Sequence, residues 1–374
     1  MSIPKKQGEL IMELSAYTRA LLEDIERRIV PEVEDDFLKQ WESFWAGKHT
    51  DIVVSPKRKL VSAPAIQINE IYINDALDSY DLMLASELAR VSRALATGSG
   101  TLSIRANYGT GIIPSMFGTE IFKMPKEQNI LPTAVPFADE DVIKGIIDAG
   151  IPAFDRGFGK QALEFGEMCR EVFKAYPKIE KYVYVYHPDT QGPIDIAELL
   201  WGSDIFYAFY DDPDMVHDLM GVITETYKRY LDKWFSIYPN RDGLNVHWDF
   251  FIKGNICIRN DSSMNLSPDF YREFVFKYDN HLLDYFGGGI VHFCGRGDHY
   301  IDIVTSAEKL TGINLSQPYL NDMDKIYAAT VNSGKRLLAL ADAACDEYEK
   351  RPDAIRSMIC RGIDSSVQSY EIKK

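Results

Sequence analysis

Gly289-Ile290-Val291-His292-Phe293-Cys294-Gly295 is the stretch whose reading decides the fold class. Gly289 to Phe293 is a short apolar run of the length of a buried strand, and Gly295-Arg296-Gly297-Asp298 ends it and turns the chain. Side chains alternate faces along a strand with a period of two, so His292 and Cys294 point the same way. An imidazole nitrogen and a thiolate sulfur that converge suit zinc. The exit of a strand is also where an α/β barrel keeps its chemistry. The same spacing has a plainer meaning, a hydrogen-bonded core histidine beside an inert cysteine. Two ligands need a third.

Outward from this stretch the chain alternates. Toward the C-terminus, helix Tyr300–Leu310 leads to strand Gly312–Leu315, and helix Met323–Asn332 leads to strand Arg336–Leu340. Helix Pro352–Arg361 then precedes a last strand, Ser366–Ile372. Toward the N-terminus, Ser267-Pro268-Asp269 caps a helix running to Phe286, with proline in its first turn. Ile256–Arg259, Leu244–Trp248, Lys181–Tyr186, the weaker Ala134–Phe137 and Leu102–Ala106 read as strands. Helices Asp139–Ala149, Phe158–Tyr176, Ile194–Leu200 and Asp214–Tyr238 separate them. Strands and helices alternating about every thirty residues imply parallel βα units. About eight units make a (β/α)8 TIM-like barrel the best fit. A doubly wound open sheet is the other architecture that the alternation allows. Residues 1–100 read as a helical extension packed on the barrel of 101–374: Glu9–Ile29, Asp35–Trp45 and Asp75–Ala96 carry apolar residues at spacings of three and four.

Composition bounds the function. The 374 residues are 46% hydrophobic and 26% charged, enough for a large core. The net charge is 41 − 56 = −15 with no basic run, which argues against nucleic acid or an anionic membrane as a partner. No apolar run approaches the roughly 20 residues needed to cross a bilayer. The five cysteines are widely spaced and the start, Met1 to Gln7, leads into an amphipathic helix rather than a signal peptide. The expected setting is a reducing cytoplasm with free thiols.

Polar residues gather where the strands end. Asn107 and Tyr108, His187 and Asp189, Asp261, His292 with Cys294, Asn314 with Gln317, and Asp342 with Cys345 follow successive strands. Loops are polar in general, so only the collection has weight. Asn107, Tyr108, His187, Asn314 and Gln317 are candidate substrate-binding residues, and Asp261, His292 and Cys294 candidate catalytic ones. Asp261 is either a pocket acceptor and proton relay or a loop aspartate bonded to the Ser262-Ser263 turn. His247 reads as a core histidine, and Gly287-Gly288-Gly289 as a helix-to-strand turn.

Six segments together resemble the uroporphyrinogen decarboxylase superfamily. They are Asn107-Tyr108-Gly109 with Phe117-Gly118, Gly192-Pro193-Ile194-Asp195-Ile196-Ala197, Asp212-Pro213-Asp214-Met215-Val216, and Asn260-Asp261 with Leu266 to Phe274. His292-Phe293-Cys294-Gly295 and the strand before Asp342 complete the set. The resemblance implies a single α/β barrel. Its corrinoid-dependent methyltransferase branch carries a His-x-Cys pair at the place of His292 and Cys294, and a distant cysteine in a Gly-Cys turn after the last strand, all binding zinc. No cysteine follows Ser366–Ile372, so Cys345, or a carboxylate oxygen of Asp342, stands as the substitute third ligand. The decarboxylase branch carries an Arg-Gln-Ala-Gly-Arg loop that this chain lacks. Only Arg105, Arg259 and Arg296 lie near strand exits to meet the carboxylates of a porphyrinogen.

The expected function is therefore a zinc-assisted methyltransferase acting on a small-molecule methyl donor or acceptor. No Asp-x-His-x-x-Gly segment is present to hold a corrinoid, so cobalamin is expected on a separate corrinoid protein that docks at the barrel mouth. A uroporphyrinogen-type decarboxylase or metal-free relative using Asp261 is the alternative. A barrel that only binds a tetrapyrrole or a corrinoid partner is a third reading. The oligomeric state is open, a homodimer included.

Overall fold

The computed structural model describes residues 14–137 and 139–363. Its strands in chain order are β1 Val53–Val54, β2 Ser103–Ile104, β3 Glu120–Phe122, β4 Thr133–Val135, β5 Tyr184–Val185 and β6 Leu244–His247. They continue with β7 Phe250–Lys253, β8 Ile256–Arg259, β9 Gly289–Phe293, β10 Leu310–Leu315, β11 Arg336–Leu340 and β12 Ile359–Arg361. Six of them form one parallel sheet in the order β1-β12-β11-β10-β9-β8. β2 and β5 make a separate parallel pair, and β3–β4 and β6–β7 are antiparallel hairpins. The fold is mixed α/β built on a parallel sheet.

The two faces of the sheet bury different things. Ile256, Ile258, Val291, Phe293, Ile313, Leu315 and Leu337 face the helices in the larger core, which also takes in Leu21 and Leu84 from the N-terminal helices. The opposite face presents Val54, Cys257, Ile290, Leu338 and Cys360 to the β6–β7 hairpin residues Val246, Phe250, Phe251 and Ile252. Each large apolar side chain so buried contributes up to roughly 1.5–3 kcal/mol. The N-terminal helix α1, Ala16–Arg28, is followed by α2, Pro31–Trp45. Phe37, Trp41, Phe44 and Trp45 of α2 close this second core, and the Trp45 indole donates to the Phe251 carbonyl at 3.0 Å. The hairpin thus fills the inner face of the sheet and carries its Trp248-Asp249 turn toward the strand ends.

Several expectations change. The first hundred residues supply β1 to the sheet and share its core, so no structural boundary falls at residue 100. Asp75–Ala96 is two helices, α3 Ile73–Leu77 and α4 Tyr80–Thr97, because the Ser79 side chain caps Leu82 and starts a new helix. Lys181–Tyr186 begins with the last two residues of helix Pro177–Tyr182, which has proline at its first turn, and only Tyr184–Val185 is strand. Ala134–Phe137 and Leu244–Trp248 belong to hairpins rather than βα units. The period-two pattern is the same in both, so it could not tell them apart.

Pro352–Arg361 is not helical. The helix is Asp342–Glu349, and Ile359–Arg361 is β12, buried between β1 and β11. The expected strand Ser366–Ile372 lies outside the described residues. The turn after β12 therefore reads Gly362-Ile363, with isoleucine where the Gly-Cys turn of the resemblance would place its cysteine.

Candidate metal centre

The parallel register builds the site. Arg259, His292 and Asn314 are cross-strand partners on β8, β9 and β10, and all three face inward. Two residues beyond the first pair, Asp261 meets Cys294. The result is a group of three donor atoms, one each from Asp261, His292 and Cys294, all within 4.8 Å of one another.

His292 is buried, with 5% of its surface exposed. The Asn314 amide donates through Nδ2 to the Leu338 carbonyl at 2.7 Å, which leaves Oδ1 to accept from His292 Nδ1–H at 2.6 Å. That assignment puts the free lone pair of the imidazole on Nε2, the ligating tautomer. His292 Nε2 lies 3.5 Å from Cys294 Sγ and 3.4 Å from Asp261 Oδ1. Tetrahedral zinc with ordinary bond lengths has N···S and N···O edges of roughly 3.5 and 3.4 Å. The two edges from His292 fit the ion, and the third donor pair lies within 4.8 Å.

Electrostatics sharpen the fit. Burial, and then the negative Asp261, push the Cys294 thiol up to about 12. Burial also raises Asp261, but His292 in its protonated form, donating from Nε2, with Arg259 behind it, outweighs this and holds the carboxyl well below the usual range; a bound cation would take the place of that Nε2 proton. A divalent cation among these atoms would ionise the thiol that the protein alone keeps protonated.

Around the three donors, Asp261 Oδ1 accepts from Cys294 N–H at 3.0 Å, and Gln317 Oε1 accepts from Gly295 N–H at 2.6 Å. Asp195, in the first turn of helix Pro193–Trp201, accepts from the backbone N–H groups of Asp261 and Ser262 at 2.8 and 2.9 Å. Burial, then the Asp261 charge, raise the Asp195 carboxyl. Trp248, at the hairpin tip with φ +49°, lies edge-on to His292 at 4.9 Å, and Arg259 sits over its ring at 4.8 Å. Beneath them Asp189 pairs with Arg105 and, at 2.9 Å, with Arg259.

The sequence-predicted residues divide clearly. Asn314 orients His292, and Gln317 holds the loop beyond Cys294. His187 has both ring nitrogens occupied, Nδ1 by the Pro188 carbonyl at 2.8 Å and Nε2 by Cys257 N–H at 3.0 Å. Burial lowers its pKa to about 4, so it is a neutral structural histidine. Tyr108 is fully buried against Phe158, and Asn107 lies beside it in the turn after β2. Cys345 is buried under its own helix, donating to the Leu340 carbonyl at 3.4 Å, and is not in the donor group. Asp342 is exposed and pairs with Arg361 at 3.0 Å. The third donor atom comes from Asp261 instead. Asp195 and Trp248 were not singled out from sequence; the only signal was an acid following Gly192-Pro193 at a helix start.

One consequence is measurable at Asn314. Asn314→Ala removes the group that fixes the His292 tautomer, and a zinc ion held by these donors would then bind about 10–100-fold more weakly. Competition with a chromophoric chelator reads this, and unchanged affinity would refute the orienting role.

No family model and no curated protein matches the chain. Among solved structures it is similar to a methyltransferase from Methanosarcina mazei, at 16% identity and a TM-score of 0.57, over 94% of this chain and 93% of that one. At this identity the likeness establishes a shared fold.

Proposed function

We propose that Asp261, His292 and Cys294 hold zinc, and that the protein is a methyltransferase of the uroporphyrinogen decarboxylase superfamily working with a corrinoid carried on a separate protein. The observation that carries this is the convergence of the three donor atoms at spacings that suit one tetrahedral ion. The six-stranded sheet and the parallel β2–β5 pair, eight strands together, support a (β/α)8 barrel with that centre at its mouth. The Gly192–Arg259 backbone bond and the His187–Cys257 bond tie the segment that follows β5 to β8, which supports closure on that side.

Bound zinc would supply Lewis acidity, either ionising an acceptor thiol or polarising the heteroatom of a methyl donor. The chain's own residues prepare for it. Asn314 presents His292 Nε2, Asp195 holds the Asp261 loop in place, and Trp248 forms a partly apolar floor beside the imidazole. Exposed Met264, Tyr319 (81%) and Leu320 follow β8 and β10 and offer an apolar rim for a corrinoid-bearing partner.

The decarboxylase alternative loses support here. Arg105 and Arg259 are committed to Asp189, and Arg296 to Asp298 at 2.6 Å, so none of the strand-exit arginines stands free for a multi-carboxylate substrate. Five free cysteines support a reducing, cytoplasmic setting. No described helix is long and apolar enough to cross a membrane.

Free methylcobalamin can replace the partner in a test. Zinc-loaded protein should demethylate it in the presence of a small thiol, followed by the change in corrinoid absorbance, and Cys294→Ser should slow this by at least about 100-fold. Zinc-loaded protein inert toward thiols, amines and ethers alike would overturn the methyltransferase reading.

A further inference from the structure

A second feature lies apart from the donor group. β5 and β8 share no strand ladder, and the His187 ring takes the place of a backbone acceptor for Cys257 N–H. A cavity of about 150 Å³ lies beside β5, between it, β6 and the end of helix Pro213–Ile237, with Arg170, Tyr186, His187, Trp234, Tyr238 and Arg241 among its lining residues. A cavity of that size has room for a benzene-sized ring.

The polar atoms of this lining are short of acceptors. The Trp234 indole N–H and the Tyr238 hydroxyl are buried without a hydrogen-bond partner. An indole N–H can only donate, and leaving such a group unsatisfied in the interior is unfavourable. The benzo edge of Trp234 packs over Gly166, so that edge is already filled, while the pyrrole edge carries the orphaned N–H. His187 contributes nothing further, since both its nitrogens are taken. At the rim stand two guanidinium groups. Arg241 is stacked over Tyr184 at 3.8 Å and bonded to the Lys181 carbonyl, and Arg170 lies 3.7 Å from Glu171. One exposed carboxylate, Glu180, also borders the cavity and disfavours a second negative charge on a ligand.

Aromatic walls, orphaned donors and a cationic rim call for one kind of molecule: a flat ring bearing a single anionic acceptor. We infer that the cavity beside β5 is a binding site for a single-ring aromatic carboxylate. The ring stacks among the aromatic side chains. Its carboxylate accepts from the guanidinium rim and the orphaned donors. The site is separate from the proposed zinc centre and does not depend on it.

Calorimetric titration with benzoate tests this, with benzyl alcohol and acetate as the uncharged and ringless controls. A ligand this small should bind with a Kd of roughly 0.1–1 mM. Both controls should bind at least about tenfold more weakly, and Arg241→Gln should weaken benzoate about tenfold. Because Arg241 also bonds a backbone carbonyl, Arg170→Gln, whose side chain holds no backbone group among the described residues, repeats the test if the first variant unfolds. A carboxylate can also ligate a metal at the strand ends, so His292→Ala is titrated too and should retain benzoate binding. No heat of binding at about 10 mM benzoate, a concentration well above the expected Kd, would overturn the inference. Equal affinity for benzyl alcohol, or binding lost in His292→Ala but intact in both arginine variants, would do the same.

Discussion

Wild-type protein equilibrated with zinc and freed of excess metal will retain about one ion per chain, and His292→Ala will retain none. Removing the imidazole leaves a carboxylate that already accepts from the Cys294 backbone and a thiol that burial and Asp261 push up to about 12. Two such donors do not hold zinc against dialysis. The thiol also sets a pH signature. At neutral pH Cys294 is protonated, and binding must displace that proton. The apparent zinc affinity of the wild type will therefore rise about tenfold per pH unit from this group alone. Metal analysis and chelator competition at several pH values give both results. A His292→Ala protein that keeps its zinc, or an affinity flat with pH, would sink the assignment.

Asp189→Ala will destabilise the fold by about 3–5 kcal/mol, a large part of the stability of most domains. Asp189 is buried between Arg105 and Arg259, whose side chains are only 12% and 16% exposed, with His247 Nε2 at 3.6 Å. Taking away the carboxylate leaves Arg105 and Arg259 buried without the ion-pair partner they share, with only the more distant Asp261 near Arg259. Burial alone would raise the Asp189 pKa, but the two guanidinium groups outweigh it and hold it well below the value of 3.8 for a free aspartate. A folded pKa below the unfolded one means the stabilisation is complete above about pH 4 and is lost as pH falls through the folded value. Urea unfolding will thus show a wide gap between variant and wild type at pH 7 that narrows below pH 4. A gap under about 1 kcal/mol at pH 7, the size of a surface ion pair, would show that Asp189 is not the counter-charge of this cluster.

Legibility in the sequence followed the range of the interactions involved. β9 and β11 were readable because each is a continuous apolar run flanked by turn residues. β12 was missed because Met358-Ile359-Cys360 is too short to show a period, and its strand character comes from β1, some three hundred residues away in sequence. The β6–β7 hairpin was half seen. Phe250-Phe251-Ile252 is apolar without alternation because it is buried on both faces, which a period-two search passes over. At the site, Asn314 was singled out as a substrate-binding residue, and the structure shows it bonded to His292 Nδ1.

The sequence by itself determined that His292 and Cys294 share a face, since alternation along one strand is local geometry. It also showed a chain of alternating strands and helices with polar residues at the strand ends. Tertiary structure alone decided the third donor. Pairing Arg259 with His292 brings Asp261 level with Cys294, whereas a one-residue slip would turn it to the opposite face. Register between strands is set by packing across the whole sheet, and no single segment encodes it. The same packing carries Cys345 into the core and away from the centre that its position after a strand had suggested.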